Sequence, residues 1–493
     1  MFKQFYRIVA LTLFIFSLFF QTHFAQAPDT MWTKKIGGSN DEIGSCIQQT
    51  TDGGYIVAGH TQSFGVGLDD IWLIKTNAAG DTLWTRTYGG TEYDYCYYVQ
   101  QTSDGGYLLI GETDSFDPTY WFAWIIKTNS FGDTLWTNVI GESRHYFARS
   151  GLEISGGGYL FTGRTKATGA GQEDLWLVKL DAGGDTVWTK TIGGGDDEQG
   201  ISIQQTNDGG FIIAGVTKSF GAGDYDAWLI RSDPTGDTIW TKTFGGSSRD
   251  FAYDVQQTND NGFIIAGMTE SFGYANNFSD VWLIKTNSNG DTLWTKTFGG
   301  IDRDGAFALH QTSDGGYILV GFTDSFGAGN YDVWLIKTNS SGDSLWTSTY
   351  GGIFYDYGRS VEQTDDGGYI IAGDYYETIT NSRDVWLIKI SPDPNEVEHQ
   401  DLNSIPETFS LKQNYPNPFN PITTIEFGVP SGDFIKLHIY NSLGEEVTLL
   451  VNEYLNAGNY KVKWDAEDLP VGIYIYKLSG NGFSKTKKMV LLK

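Results

Sequence analysis

After residue 27 the chain reads as short apolar runs separated by turn residues, with no sustained helical period. Runs such as Tyr55-Ile56-Val57-Ala58 are apolar at consecutive positions and do not alternate. That pattern fits strands whose sheet is covered on both faces. Asp52-Gly53-Gly54 and Ala79-Gly80-Asp81 supply tight hairpin turns between such runs. Four strands, near 43–50, 54–61, 70–76 and 81–88, fill one unit.

The unit recurs seven times. The Trp of Asp-Thr/Ser-x-Trp falls at 32, 84, 136, 188, 240, 294 and 346. A second Trp series falls at 72, 124, 176, 228, 282, 334 and 386, and an aromatic after Gly at 55, 107, 159, 211, 263, 317 and 369. A four-stranded unit of this length is a propeller blade. The first strand, near Asp29–Lys35, has the sequence of a fourth strand (D), and the last unit ends at Ile390 after only three (A, B, C). The N-terminal strand is therefore expected to complete the last blade and close a seven-bladed ring, leaving no end to pair with other chains. The repeats resemble the quinoprotein-like or WD40-like propeller class through their WLIKT…GDTLW and DGGYIIAG hairpins, which speaks to fold and not to function.

Composition narrows the setting. Hydrophobic residues at 40 % and aromatics at 15 % exclude a disordered chain. A net charge of −27 argues against nucleic acid and anionic lipid as partners. Residues 1–27 carry Lys3 and Arg7, an apolar run from Ile8 to Phe20, and Ala25-Gln26-Ala27 before Pro28. This is the layout of a secretory signal peptide. The alternative, a membrane anchor, needs about 20 apolar residues. No later run is apolar enough to span, so the mature chain is expected to have no transmembrane segment and to be a monomer outside the cytoplasm.

The repeat stops at Ile390, and the expected organisation is signal peptide 1–27, propeller 28–390, linker 391–405 and a last domain over 406–493. Residues 406–493 are net neutral, so nearly all the acidity belongs to the propeller region. Strand patterns at 424–427, 434–440, 446–451, 458–464, 472–478 and 485–492 indicate a small Ig-like β-sandwich. The whole is expected to be all-β. The run Asn414-Tyr415-Pro416-Asn417-Pro418-Phe419-Asn420-Pro421, with Gly472, Tyr474, Lys487 and Lys488 further on, resembles the C-terminal sorting domain of type IX (Por) secretion cargo of the Bacteroidetes and relatives. The resemblance implies export and recognition by the type IX machinery, followed by release or display at the outer-membrane surface. An ordinary Ig-like binding module is the bland alternative.

Strand order places the D–A and B–C loops on one face. Carboxylates recur there at 70, 174, 226, 280, 332 and 384, and at 42, 94, 198, 250, 304 and 356. They fit either a cation-attracting surface or acceptors that shape turns. The repeat breaks in blades 2 and 3, where Tyr120, Trp121, Arg144, His145 and Tyr146 replace the usual loop residues and suggest a platform for a glycan or peptide. His60 and His310 read as surface variation. Cys46 and Cys96 share a parity that points both side chains the same way, against a disulfide. No nucleophile elbow or zinc-site motif occurs, so no catalytic residue, metal or cofactor is expected. The expected function is an extracellular binding or structural module. The alternative is a lyase or glycosidase working on the acidic face.

Overall fold

The short strands assemble into nine four-stranded sheets. The computed structural model describes residues 27–493 apart from 142–144, 275–277, 379, 394–396, 401–405, 407, 456, 467–468, 481 and 493. The expected signal peptide and Arg144 thus lie outside the described residues, Ala27 apart. Every helix-or-strand element among those residues is a β-strand.

Seven sheets are blades. The first runs Glu42–Gln49 (A), Tyr55–Thr61 (B), Asp70–Thr76 (C) and Thr82–Tyr88 (D). The last joins Tyr357–Gln363, Tyr369–Glu377 and Ser382–Ile390 to the N-terminal strand Thr30–Ile36, which pairs antiparallel with Ser382–Ile390. The ring is closed by the N-terminal strand. Strands B and C are buried along almost their whole length, which is why their apolar residues are consecutive.

The repeated letters of the blade are interface contacts. In the C–D turn, Gly80 has φ +76°, and a Cβ there would lie 2.6 Å from the Trp32 ring of the preceding blade. The turn glycine is therefore a seat for its neighbour's outer tryptophan. Beside it, Lys34 reaches Asp81 at 2.8 Å, a pairing repeated as Lys242–Asp291 and Lys296–Asp343. The lysine of strand C turns instead to its own A–B hairpin. Lys337 is fully buried and contacts Asp314 at 2.6 Å, and Lys75, Lys127, Lys285 and Lys389 do the same with Asp52, Asp104, Asp260 and Asp366. Trp346 has no C–D turn to sit on, because the chain leaves the ring after Ile390. Its indole N–H and the Tyr369 hydroxyl donate to Asp393 instead.

Around the axis four A strands end in two glutamines, at 48–49, 100–101, 204–205 and 256–257, and these form a relay. The first accepts from the next blade: Gln204 Oε1 takes the backbone N–H of Gln257 at 2.5 Å, and Gln256 that of Gln311 at 2.6 Å. The second accepts from the blade before: Gln257 Oε1 takes Asn207 N–H at 2.8 Å. The same code closes the ring, with Gln49 N–H donating to Glu362 at 2.8 Å and Asp365 N–H to Gln49 at 2.8 Å.

The other two sheets form the C-terminal sandwich. One orders Val397–Gln400, Gly458–Asp465, Ile422–Val429 and Ser410–Leu411 side by side. The other orders Glu446–Leu455, Asp433–Tyr440, Gly472–Gly480 and Phe483–Leu491. Between them lies a core with Phe427, Ile439, Trp464 and Tyr476. The stretch expected as a linker thus contains a four-residue strand, which pairs with Gly458–Asp465.

Glu362 stands where four other blades have glutamine. Burial pushes its carboxyl up to about 7 from 4.5, so at mildly acid pH it carries a proton and resembles the amide it replaces. Because the folded-state value is the higher, this group's stabilising contribution is complete below about 4.5 and is lost as pH rises through about 7. Glu362→Gln is expected to raise stability at pH 8 by about 2–3 kcal/mol and to leave it nearly unchanged at pH 4.5. Urea denaturation at the two pH values checks this.

Candidate functional site

The carboxylates repeated on the D–A and B–C loop face point inward. Asp70 Oδ2 accepts the N–H groups of Val66 at 2.9 Å and Gly67 at 2.8 Å, holding its own B–C loop. Glu198 accepts Gly194 N–H at 2.6 Å, Thr217 Oγ1 at 3.0 Å and Ser219 N–H at 3.0 Å, tying a D–A loop to a B–C loop. Both residues are buried, as are Asp94, Asp226, Asp250 and Asp304. Carboxylates of the two series also approach each other between blades. A Cβ on Gly299 would lie 2.0 Å from Asp280 Oδ1 and 2.9 Å from Asp304 Oδ2, so both carboxylates crowd against a position that has room only for glycine. Burial and the neighbouring Asp304 push Asp280 up to about 6. Most of these carboxylates clamp loops, while one oxygen each of Asp94, Asp280, Asp332 and Asp384 is buried without a hydrogen-bond partner.

The blades differ along the axis. Every A strand carries a one-residue bulge, seen as a register shift between Gly44 and Cys46, Cys96 and Tyr98, Ala148 and Ser150, and so on around the ring. Bulges re-aim side chains. The bulged residues are Ser45, Tyr97, Arg149, Ile201, Tyr253, Phe307 and Arg359, and all seven line one axial cavity of about 310 Å³. A narrower space of about 180 Å³, lined by Gln48, Gln204, Gln256, His310 and Glu362 among others, shares several of the same walls.

The cavity has two unlike sectors. Blades 7, 1, 2 and 3 contribute Arg359, Ser45, Tyr97 and Arg149, whereas blades 4, 5 and 6 contribute Ile201, Tyr253 and Phe307. The neighbouring B strands repeat the division, with Asp374, His60, Glu112 and Arg164 against Val216, Met268 and Phe322. Arg359 Nε donates to Asp374 at 2.5 Å. The Arg149 guanidinium lies 3.9 Å over the Tyr97 ring, and the Tyr97 hydroxyl donates to Glu112 at 2.5 Å. Burial, with Arg359 and Arg383 nearby, pushes His60 down to about 3, so it is neutral at physiological pH. His60 and His310 therefore line the axial spaces and are not surface variation.

The loop residues singled out by the break in the repeat lie beside this cavity. Trp121 stacks on Tyr95 at 5.5 Å and 12°, and Tyr95 contacts Tyr97 at 6.4 Å. Tyr120 meets His145 edge-on at 5.8 Å, and His145 stacks on Phe147 at 5.9 Å. Trp121 N–H donates to His145 Nδ1 at 3.2 Å, locking the two loops together. Tyr146 is buried and packs on Trp176 at 5.0 Å, filling the position that a clamp carboxylate holds in other blades. Sequence reasoning missed Arg149, Arg359 and Tyr97. The signal was the variability of one position between constant neighbours, which the alternation rule does not assign to the axis because the bulge breaks it. The same bulge, between Cys96 and Tyr98, voids the parity argument for the cysteines. Both thiols are nevertheless free and buried, and burial pushes each up to about 12.

In the C-terminal sandwich the motif residues divide between support and surface. Asn414 is buried, its N–H donated by Nδ2 to Thr423 Oγ1 at 2.8 Å, and Phe419 packs on Trp464 at 5.5 Å. Asn417 Oδ1 accepts Val490 N–H at 3.0 Å, and Tyr474 donates to Pro470 O at 2.7 Å. Tyr415 and Lys488 are exposed.

Residues 413–492 match the family described as secretion system C-terminal sorting domain. The domain marks the chain for type IX secretion and export to the cell surface. No helix among the described residues is long and apolar enough to cross a membrane. Over 174 residues the chain is 24 % identical to the regulatory protein FlaEY of Caulobacter vibrioides, covering 31 % of this chain and 18 % of that protein. Among solved structures it is similar to PorZ, a bacterial surface component of the type-IX secretion system of Porphyromonas gingivalis. That match has TM-score 0.43 and 11 % identity, covering 93 % of this chain and 60 % of PorZ. It is also similar to the Pan2 WD40 domain of Neurospora crassa (TM-score 0.46, 13 % identity, 74 % and 98 % covered). A third is the β-propeller domain of the trilobed protease of Pyrococcus furiosus (TM-score 0.40, 9 % identity, 74 % and 94 % covered). The chain spans well under two thirds of FlaEY and 60 % of PorZ.

Asp250→Ala is expected to cost about 2–4 kcal/mol, because Gly246 N–H and the Ser271 hydroxyl lose a buried acceptor. Asp250→Asn is expected to recover part of that loss. Chemical denaturation of the two variants measures both.

Proposed function

We propose that this exported propeller is an extracellular binding module that takes its ligand into the axial cavity from the D–A and B–C loop face. The observation that carries this reading is the bulge ring. At most other positions the blades repeat one sequence for one structural purpose, but here seven equivalent side chains differ and converge on one space. A convergent set of arginine, tyrosine and serine opposite a mostly apolar wall, broken by Ser202 and Asp254, is the composition expected of a small-molecule site. Trp121, Tyr120 and His145 extend the same surface outward toward an approaching ligand. The catalytic alternative on the acidic face has less behind it, since ring carboxylates such as Asp70 and Glu198 are engaged with backbone amides. Release or anchoring after export belongs to the sorting domain and does not change this reading.

The test is a glycan and peptide array probed with the mature chain, with and without calcium, followed by affinity measurement for any hit. Replacing Trp121 and His145 together by alanine is expected to weaken a bound ligand about tenfold, and Arg359→Met by more. Unchanged affinity in both variants would place the ligand elsewhere on the molecule, and product release from a hit would turn the reading toward catalysis.

A further inference from the structure

Resting on the axial cavity as the binding site, the chemistry of its walls narrows the ligand class. Each arginine at the cavity surface is backed by a carboxylate: Arg359 by Asp374 at 2.5 Å, and Arg149 by Glu112 through Tyr97. The polar sector is therefore dense in N–H and O–H groups, with its charges compensated locally. An anionic ligand would meet these carboxylates just behind the wall, inside a chain of net charge −27. A cationic ligand would meet two guanidinium groups at the surface. An uncharged polyol suits both, because each hydroxyl can accept from arginine and donate to a carboxylate or imidazole. Ser45 and His60 line the same sector beside the arginines and add a hydroxyl and an imidazole to it. Opposite them, Tyr253 and Phe307 contact each other at 5.5 Å and present aromatic surface to the same space.

The size points the same way. About 310 Å³ lies at the low end of small-molecule sites, which run about 300–1,000 Å³. The walls are the seven A strands, so a polymer cannot lie across the cavity and only its end can enter. We infer that the cavity holds the terminal pyranose unit of a neutral glycan, its hydroxyls on the arginine sector and its C–H face on the Tyr253–Phe307 wall.

Isothermal titration of the mature full-length chain tests this with three probes: neutral oligosaccharides differing in their terminal sugar, the same oligosaccharides ending in a uronic acid, and an aromatic peptide. One neutral oligosaccharide series is expected to bind at one site per chain. Its affinity should change by less than about twofold between about 50 and 500 mM salt, as expected of an uncharged ligand. Arg149→Gln, which keeps N–H donors without the charge, is expected to weaken it about tenfold. Ser45→Trp, which fills the cavity, should abolish it, with the melting temperature confirming that the variant is folded. Preference for the uronic-acid series or the peptide, still abolished by Ser45→Trp, overturns the neutral-glycan assignment and keeps the site. Binding that survives both Ser45→Trp and Arg149→Gln overturns the site as well. Failure of every neutral oligosaccharide to bind overturns the assignment.

Discussion

The ring stands on amide oxygens that reach from one blade into the backbone of the next. A propeller blade satisfies most of its own hydrogen bonds within its four strands, so blades need a reason to stay in register with each other. Here the paired glutamines provide it, one reaching forward and one back, and the outer tryptophan seated on its neighbour's turn glycine provides the apolar counterpart. Both devices are directional. They fix the spacing of the A strands around the axis, and with it the size of the space those strands enclose. The axial cavity inherits its dimensions from contacts made at its periphery and floor, which leaves the bulged side chains free to vary without loosening the ring.

Much of this was legible from the chain. Blade number, strand limits to within about a residue and closure by the first strand followed from three aromatic series with one spacing, because a repeat multiplies a weak local signal. The meaning of the repeated polar letters was less accessible. Asp81 and Gly80 look like ordinary turn residues, and their turn role is real, but the second role of each is to receive a side chain some fifty positions earlier in the sequence. Gln48 and Gln49 carry no local pattern at all, since their partners lie in other blades. Period analysis finds such a repeated residue but not its partner, because the partner lies in the neighbouring unit.

The site was legible in part for a different physical reason. Trp121 and His145 stood out because they interrupt loops, and they lie next to the cavity. Arg149 and Arg359 sit inside regular strands, where a residue's direction is read from alternation, and a bulge shifts that reading by one. The acidic face illustrates the converse. A motif repeated in nearly every blade gives a strong sequence signal, and carboxylates such as Asp70 and Glu198 are taken up by amide donors of the loops they shape. Conspicuousness in sequence and availability to a ligand are separate properties here.

The pairing of Thr30–Ile36 with Ser382–Ile390 has a consequence for how the molecule reaches its native state. The two partners are the earliest and the latest strands of the ring, so their contact spans the greatest sequence separation the propeller contains. Each inner blade is a local affair and can form as soon as its own four strands exist. The final sheet needs both ends of the ring, so its pairing bears the loop-closure entropy of the whole intervening segment. Without that pairing the N-terminal strand has no partner in the ring, and the axial cavity, which borrows a wall from each of the seven sheets, has no complete perimeter. A complete perimeter for that cavity therefore requires that the two ends of the ring have met.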